Sequence, residues 1–209
     1  MAEAKKNEAK KTQAESMKET FNKYGKQKNY TYENPDTNEK LDMILNFPGT
    51  FRAAEITDSL VGRSMSRNGA DYNANLMESV IISPKMDWNY WDEKLADDEK
   101  VKTVEIDEGD GTKATYTLTW PGYEIAQRLI DARMDFNDTP QPFIANQGLM
   151  DEVIKSDQGK VDYNYWDKHI GMNKVFGEAN NFINELISKN GYVDIMDEAD
   201  TFLGEMVNK

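Results

Sequence analysis

From residue 29 the chain alternates apolar and polar side chains: Tyr30 and Tyr32, then Leu41, Met43, Leu45 and Phe47. Between these runs lies Asn34-Pro35-Asp36-Thr37-Asn38. A period of two marks half-buried strands, and a cluster of Asn, Pro and Asp marks the turn joining them, so a β-hairpin is expected. Val101 to Ile106 and Thr115 to Trp120 repeat the plan around Glu108-Gly109-Asp110-Gly111. After each hairpin a Pro-Gly pair precedes helical spacing. Residues 123–136 place Ile125, Ala126, Leu129 and Ile130 on one side, and the earlier stretch answers with Phe51, Ala54, Ile56 and Leu60. A second helix in each half carries a Leu-Met-x-x-Val-Ile block, ended by Pro84 in one half and by Gly159 in the other. Residues 173–189 then form a long amphipathic helix with Val175, Phe176, Ala179, Ile183, Leu186 and Ile187 on its apolar face, and Asn190-Gly191 closes it. A final acidic helix aligns Met196, Ala199, Leu203 and Met206.

The pattern recurs in register. Leu76-Met77-Glu78-Ser79-Val80-Ile81 returns as Leu149-Met150-Asp151-Glu152-Val153-Ile154, an offset of 73 residues that also carries Phe47-Pro48-Gly49 onto Trp120-Pro121-Gly122. Asp87-Trp88-Asn89-Tyr90-Trp91-Asp92 recurs as Asp162-Tyr163-Asn164-Tyr165-Trp166-Asp167, two residues further along. Ordered blocks in one register point to a tandem duplication of a hairpin-plus-two-helix unit. The expected fold is α+β and predominantly helical. Residues 1–28 form a leader, 29–100 and 101–172 the two units, and 173–209 C-terminal helices packed on or extending the second.

Charge and composition narrow the function classes. The 209 residues carry a net charge of −13, but residues 1–28 hold eight Lys and four Glu, so the body is more acidic than the total shows. An acidic body disfavours nucleic acid and anionic membranes. The leader's Lys and Glu alternate as on a solvated helix or a disordered arm. Cysteine is absent, which removes disulfides, thiolate metal sites and cysteine nucleophiles, and no run reaches membrane-spanning length. His169 is the only histidine, too few for a histidine metal cluster. No phosphate loop, dinucleotide fingerprint or nucleophile elbow is present. Asp107-Glu108-Gly109-Asp110-Gly111 lacks the ligand spacing of a calcium loop and suits a tight turn. The twin Asp-x-Asn-Tyr-Trp-Asp segments suit helix starts and aromatic packing better than a sugar or metal site. No catalytic residue, cofactor or metal ligand is assigned.

The residues Leu45-Asn46-Phe47-Pro48-Gly49, Leu76 through Ile82, Ser83-Pro84-Lys85-Met86-Asp87 and Gly171 through Leu186 give the chain a likeness to a known family. Across most of residues 29–190 it resembles the tail assembly chaperones of long-tailed phages that infect Gram-positive bacteria. The resemblance implies a non-enzymatic protein of the host cytoplasm, absent from the mature virion. Such a protein binds and solubilises the tape measure protein and helps recruit tail tube subunits; self-association is a further possible contact. A structural tube or connector subunit of the virion is the alternative. The chain departs from a single-unit pattern by carrying two copies. The first copy has Glu93-Lys94-Leu95-Ala96-Asp97-Asp98 where a closing helix would follow. That copy either borrows a helix or leaves a groove open. The expected partner-binding residues are Phe51, Ile56 and Leu60 along this groove, with Met196, Leu203 and Met206 on the terminal helix.

Overall fold

Strands β1 (Gln27–Glu33) and β2 (Lys40–Asn46) pair antiparallel, from Gln27 opposite Asn46 to Glu33 opposite Lys40. The computed structural model describes residues 26–35, 37–62, 66–109 and 111–208. Residues 1–25 of the expected leader lie outside the described residues, and its last two already belong to β1. Alternation is realised in burial: Tyr32, Met43 and Leu45 face the core, while outward Thr31 donates to Asp42 at 2.7 Å. Helices α1 (Thr50–Ser59) and α2 (Gly69–Ser79), strand β3 (Ile81–Ser83) and the one-turn helix α3 (Trp88–Asp92) complete the first half. The second half has the same order: β4 (Val101–Asp107), β5 (Lys113–Thr119), α4 (Tyr123–Asp131), α5 (Pro142–Glu152), β6 (Ile154–Ser156) and α6 (Tyr163–Trp166). Each half holds a three-stranded antiparallel sheet, ordered β1-β2-β3 and β4-β5-β6. With about 48% helix and 23% strand, the protein is α+β with helix predominant.

Local chemistry is matched between the halves. Gly49 and Gly122, the residues before α1 and α4, adopt φ of 97° and 95°, a conformation that side chains resist. Asp87 and Asp162 cap α3 and α6, accepting from the amides of Tyr90 at 2.8 Å and Tyr165 at 2.9 Å.

Three expectations need correction. The Leu-Met-x-x-Val-Ile blocks are not wholly helical, because the helices end at Ser79 and Glu152 and the next residues become third strands. There Ile81 pairs with Leu45 and Ile154 with Leu118, so β-branched residues gain ladder bonds and burial together. Helix α4 stops at Asp131 rather than near 136, since Met134 bridges to Pro140 and Asp135 to Ser66 around a left-handed Asp138. In α1 the buried residues are Ala53 and Ile56, while Phe51, Ala54 and Leu60 face outward.

Helix α7 (Met172–Ser188) lies on β4, β5, α4 and α5, and closes the second half. A short 3₁₀ turn (Lys189–Gly191) leads into α8 (Tyr192–Val207). Helix α8 packs against α1 and α2 as well as α7, so it crosses back to close the first half. The terminal residues are therefore not an appendage of the second half alone. The two closures match in detail. Gly171, before α7, packs so tightly on Ile106 that an added Cβ would fall 2.5 Å from its Cγ2; Gly191, before α8, meets the Tyr32 ring at 2.3 Å. Lys102 pairs with Glu178 of α7, and Lys28 with Glu198 of α8. Ala179, Phe182 and Ile183 are buried on one helix as Ala199, Phe202 and Leu203 are on the other. One continuous apolar core runs through both halves and both closing helices.

Candidate functional site

Of the six residues expected to meet a partner, the structure buries Ile56, Met196 and Leu203 in the core and half-buries Met206. Helix α8, which carries Met196 and Leu203, packs on α1 and fills the groove expected along it, so neither Ile56 nor those two residues form a free docking face. Burying Met196, Phe202 and Leu203 contributes roughly 1.5–3 kcal/mol each before entropy costs, a strong reason for the groove to close on itself. Phe51, 80% exposed, and Leu60, 37% exposed, remain at the surface. The structure therefore splits the expected set between core and surface.

The junction between the halves is built from α2 and α3 on one side and α4 on the other. Two carboxylates cap helices across it. Asp92 of α3 accepts from the Tyr123 amide at 3.0 Å and from Trp120 Nε1 at 3.2 Å, covering the start of α4. Asp131 of α4 accepts from the Ala70 amide at 3.0 Å, covering the start of α2. Helix N-termini leave amide donors unmet, so each aspartate supplies what the partner helix lacks. Burial pushes the Asp131 carboxyl above the usual carboxylate range, while Gln127, donating at 3.0 Å, pulls it back in part. Behind the caps, Trp91, Trp120, Tyr123 and Tyr192 form a cluster of edge-on and tilted rings joining α3, α4 and α8. The Tyr123 hydroxyl donates to the Leu186 carbonyl at 3.2 Å, and burial raises its pKa.

A cleft of about 430 Å³ opens along the edge of this junction. Its walls are Ser66, Arg67 and Asn68 from the first half and Arg128, Met134 and Ile144 from the second. Met134 is 43% and Ile144 56% exposed, and Phe143 and Phe136 stand exposed nearby in sequence. The walls combine apolar side chains with Arg67 and Arg128, which are held by Asp138 and Asp71 respectively. Such a surface suits a polypeptide with apolar residues flanked by polar ones.

The remaining candidates have structural roles. Asp87 and Asp162 serve as caps, and Trp91, Tyr165 and Trp166 are buried. His169 is half-buried, stacked on Tyr165 with centroids 4.0 Å apart and 3.3 Å from Glu108. The acidic turn at 107–111 closes a hairpin, with the Glu108 amide donating to Thr112 and the Gly109 amide to Asp107. Among the described residues, no group of three or more His, Cys, Asp or Glu is placed to hold a metal ion, and no helix is long and apolar enough to cross a membrane.

Sequence reasoning missed the cross-junction caps and the cleft. Asp58 and Asp131 share the 73-residue offset of the repeat, but that spacing does not say which helix either serves. Comparison of the chain with protein-family models, curated proteins and solved structures found no match.

Proposed function

We propose that this protein is a non-enzymatic tail assembly chaperone, made of two tandemly duplicated units, that shields the apolar helices of a phage tape measure protein in the host cytoplasm and leaves before the virion is complete. The observation that carries this reading is the Met134- and Ile144-lined cleft at the junction of the halves, apolar surface on a chain of net charge −13. Apolar side chains standing in an acidic, highly charged surface bind a sticky segment while the surrounding charge keeps the complex dispersed. Methionine suits a site that accepts successive unlike stretches of a long helix, because its flexible side chain repacks. The duplication reading draws support from the repeated element order, the matched glycines and the twin aspartate caps.

The test is co-expression with the tape measure protein of the same genome. The partner stays in the soluble fraction with the native chain. It precipitates when the chain carries Met134→Lys and Ile144→Lys, substitutions at exposed positions that leave the thermal melt unchanged. Equal precipitation with and without the native chain overturns the chaperone role. Recovery of the protein from purified virions would instead establish a structural tail subunit.

A further inference from the structure

Val193, Met196, Asp197 and Asp200 of α8 follow the spacing that puts residues on one face of a helix. That face, with Tyr72 and Asn73 of α2, Gln127 and Ile130 of α4 and Ile187 of α7, lines a second cavity of about 320 Å³. Its floor is apolar, because Met196, Ile187 and the Tyr192 ring are buried there. At its rim Asp197 and Asp200 stand exposed. The fold does not need these two carboxylates. The offset that carries Gly171 onto Gly191 sets Gly177 and Asn180 of α7 at the places of Asp197 and Asp200, and α7 closes its half without them. The 73-residue offset of the repeat likewise sets Ala145 at the place of Tyr72. Residues 192–207 hold five acids and no Lys or Arg, and among the described residues only Glu198 of these acids forms an ion pair, with Lys28.

The hydrogen bonding is as lopsided as the charge. Asn73 Nδ2 donates to the Tyr192 hydroxyl at 2.8 Å, that hydroxyl donates to Gln127 Oε1 at 3.3 Å, and the Tyr72 hydroxyl donates to Asp200. Both hydroxyl protons of the cavity are therefore committed. Acceptors are left over: among the described residues the Asn73 carbonyl oxygen and the Asp197 carboxylate take no hydrogen bond. Burial, with Asp194 and Asp200 beside it, pushes the Asp197 carboxyl above the usual carboxylate range. A ligand that brings donors, positive charge and an apolar stem completes such a cavity.

We propose that this cavity binds a lysine side chain of a partner polypeptide, with the ammonium at Asp197 and Asp200 and the alkyl stem on Met196, Ile187 and Tyr192. A single ammonium fits better than a diamine. The acids stand on the α8 side only and the rest of the lining is uncharged, so a second charge would lie against apolar side chains. The acceptors come from two helices, α2 and α8, which suits the compact ammonium of lysine better than the planar fork of arginine. The net charge of −13 draws a basic segment toward this surface before contact.

This inference does not rest on the chaperone role, since the cavity shares no residue with the Met134 and Ile144 cleft. The experiment is a titration of the full chain, labelled at its Ile and Met methyl groups, with Nα-acetyl-lysine methylamide. The Ile130, Ile187 and Met196 signals shift together and saturate, with a Kd of about 1 mM. The norleucine analogue, which keeps the stem and lacks the ammonium, binds roughly tenfold more weakly. Asp197→Asn weakens lysine binding roughly tenfold, and its melting temperature is equal or higher because repulsion from Asp194 and Asp200 is relieved. Val193→Lys, at an exposed position one turn before Asp197, brings an ammonium of the chain's own to the acids and competes with the ligand without disturbing the fold. Cavity signals unmoved at roughly 20 mM ligand overturn the proposal. So does equal binding of the norleucine analogue, or undiminished lysine binding by both variants. Putrescine that binds more tightly than the lysine amide overturns the assignment to a polypeptide side chain in favour of a free diamine.

Discussion

The two halves share one order of strands and helices, but only the second is complete as the chain runs. Strand β4 through α7 follow without interruption, whereas β1 through α3 are closed by α8, from the far end of the chain. The first half is therefore dependent. Its helices α1 and α2 lack the cover that α8 gives them until the far end of the chain has been laid down. A shared core with this long-range closure predicts cooperative unfolding rather than two independent transitions.

The paired tryptophans separate the halves most strongly. Trp91 is 1% exposed and touches the rings of Tyr123 and Tyr192, so it joins the first half to the second and to α8. Its counterpart Trp166 packs on Tyr116 and Phe176, all within the second half. Trp91→Ala is expected to cost about 3–5 kcal/mol and to loosen the whole molecule. The indole nitrogens differ too. Trp91 Nε1 lies 3.2 Å from Met77 Sδ, whereas Trp166 Nε1 is buried with no hydrogen-bond partner among the described residues. Trp166→Phe removes an unmet donor and should be milder than Trp91→Phe, as urea denaturation of the two variants would show. Equal costs would mean that the junction adds nothing to the ring cluster.

Next in size are the glycines that admit the closing helices. At Gly191 an added Cβ meets two ring carbons and the hydroxyl oxygen of Tyr32 within 2.5 Å, while at Gly171 it meets Ile106 Cγ2 at 2.5 Å and further Ile106 atoms at 3.3 and 3.4 Å. Both residues have positive φ, 81° and 86°. Gly191→Ala combines backbone strain with a clash against a rigid ring, about 2–4 kcal/mol together, and Gly171→Ala somewhat less because an isoleucine rotates more readily. Hydrogen exchange should show α8 and β1 losing protection together in the first variant.

These pairs mark how far the amino-acid pattern reaches. Strand alternation made both hairpins legible, and the Leu-Met and aromatic blocks made the repeated order legible. Both signals are local. The closing relation between α7 and α8 was written in the sequence as well: Gly171, Glu178, Ala179 and Phe182 recur as Gly191, Glu198, Ala199 and Phe202. It went unread because the acidic composition of α8 masks the spacing, and no local rule says which half a terminal helix covers. Phe51 and Leu60 share helical spacing with Ile56 but stand at the surface while Ile56 is buried. The repeat register, which sets Glu124 at the Phe51 position, already argued that this face points outward. The cleft at Met134 could not be foreseen, since it depends on α4 stopping at Asp131 and on loops from both halves meeting.

The cap carboxylates give a smaller contrast. Asp92→Ala removes the cap of α4 and leaves Trp120 Nε1 without its acceptor, so about 1–2 kcal/mol should be lost. Asp167→Ala, at the exposed counterpart, should leave the stability of a monomer unchanged within about 0.5 kcal/mol. A measurable loss of monomer stability in Asp167→Ala would mean that its position is already occupied within the chain.

Asp131 sharpens the comparison through pH. Burial raises the Asp131 pKa, so folding binds its proton more tightly than the unfolded chain does. The sign follows directly: this aspartate favours the folded state below the unfolded carboxylate range and loses that contribution as pH rises through its folded pKa. At neutral pH it is an ionised group held in a partly desolvated place, compensated by the Ala70 amide and Gln127. Asp131→Asn keeps an acceptor and removes the charge, so its stability at pH 7 should lie within about 1 kcal/mol of the native chain. As pH falls toward 3 the native aspartate takes up its proton, and the difference between the two proteins should shift in favour of the native chain. Urea midpoints of the native chain and Asp131→Asn at pH 7 and pH 3 decide the point. A difference between the two proteins that is the same at both pH values would mean that burial does not raise the Asp131 carboxyl in the folded chain.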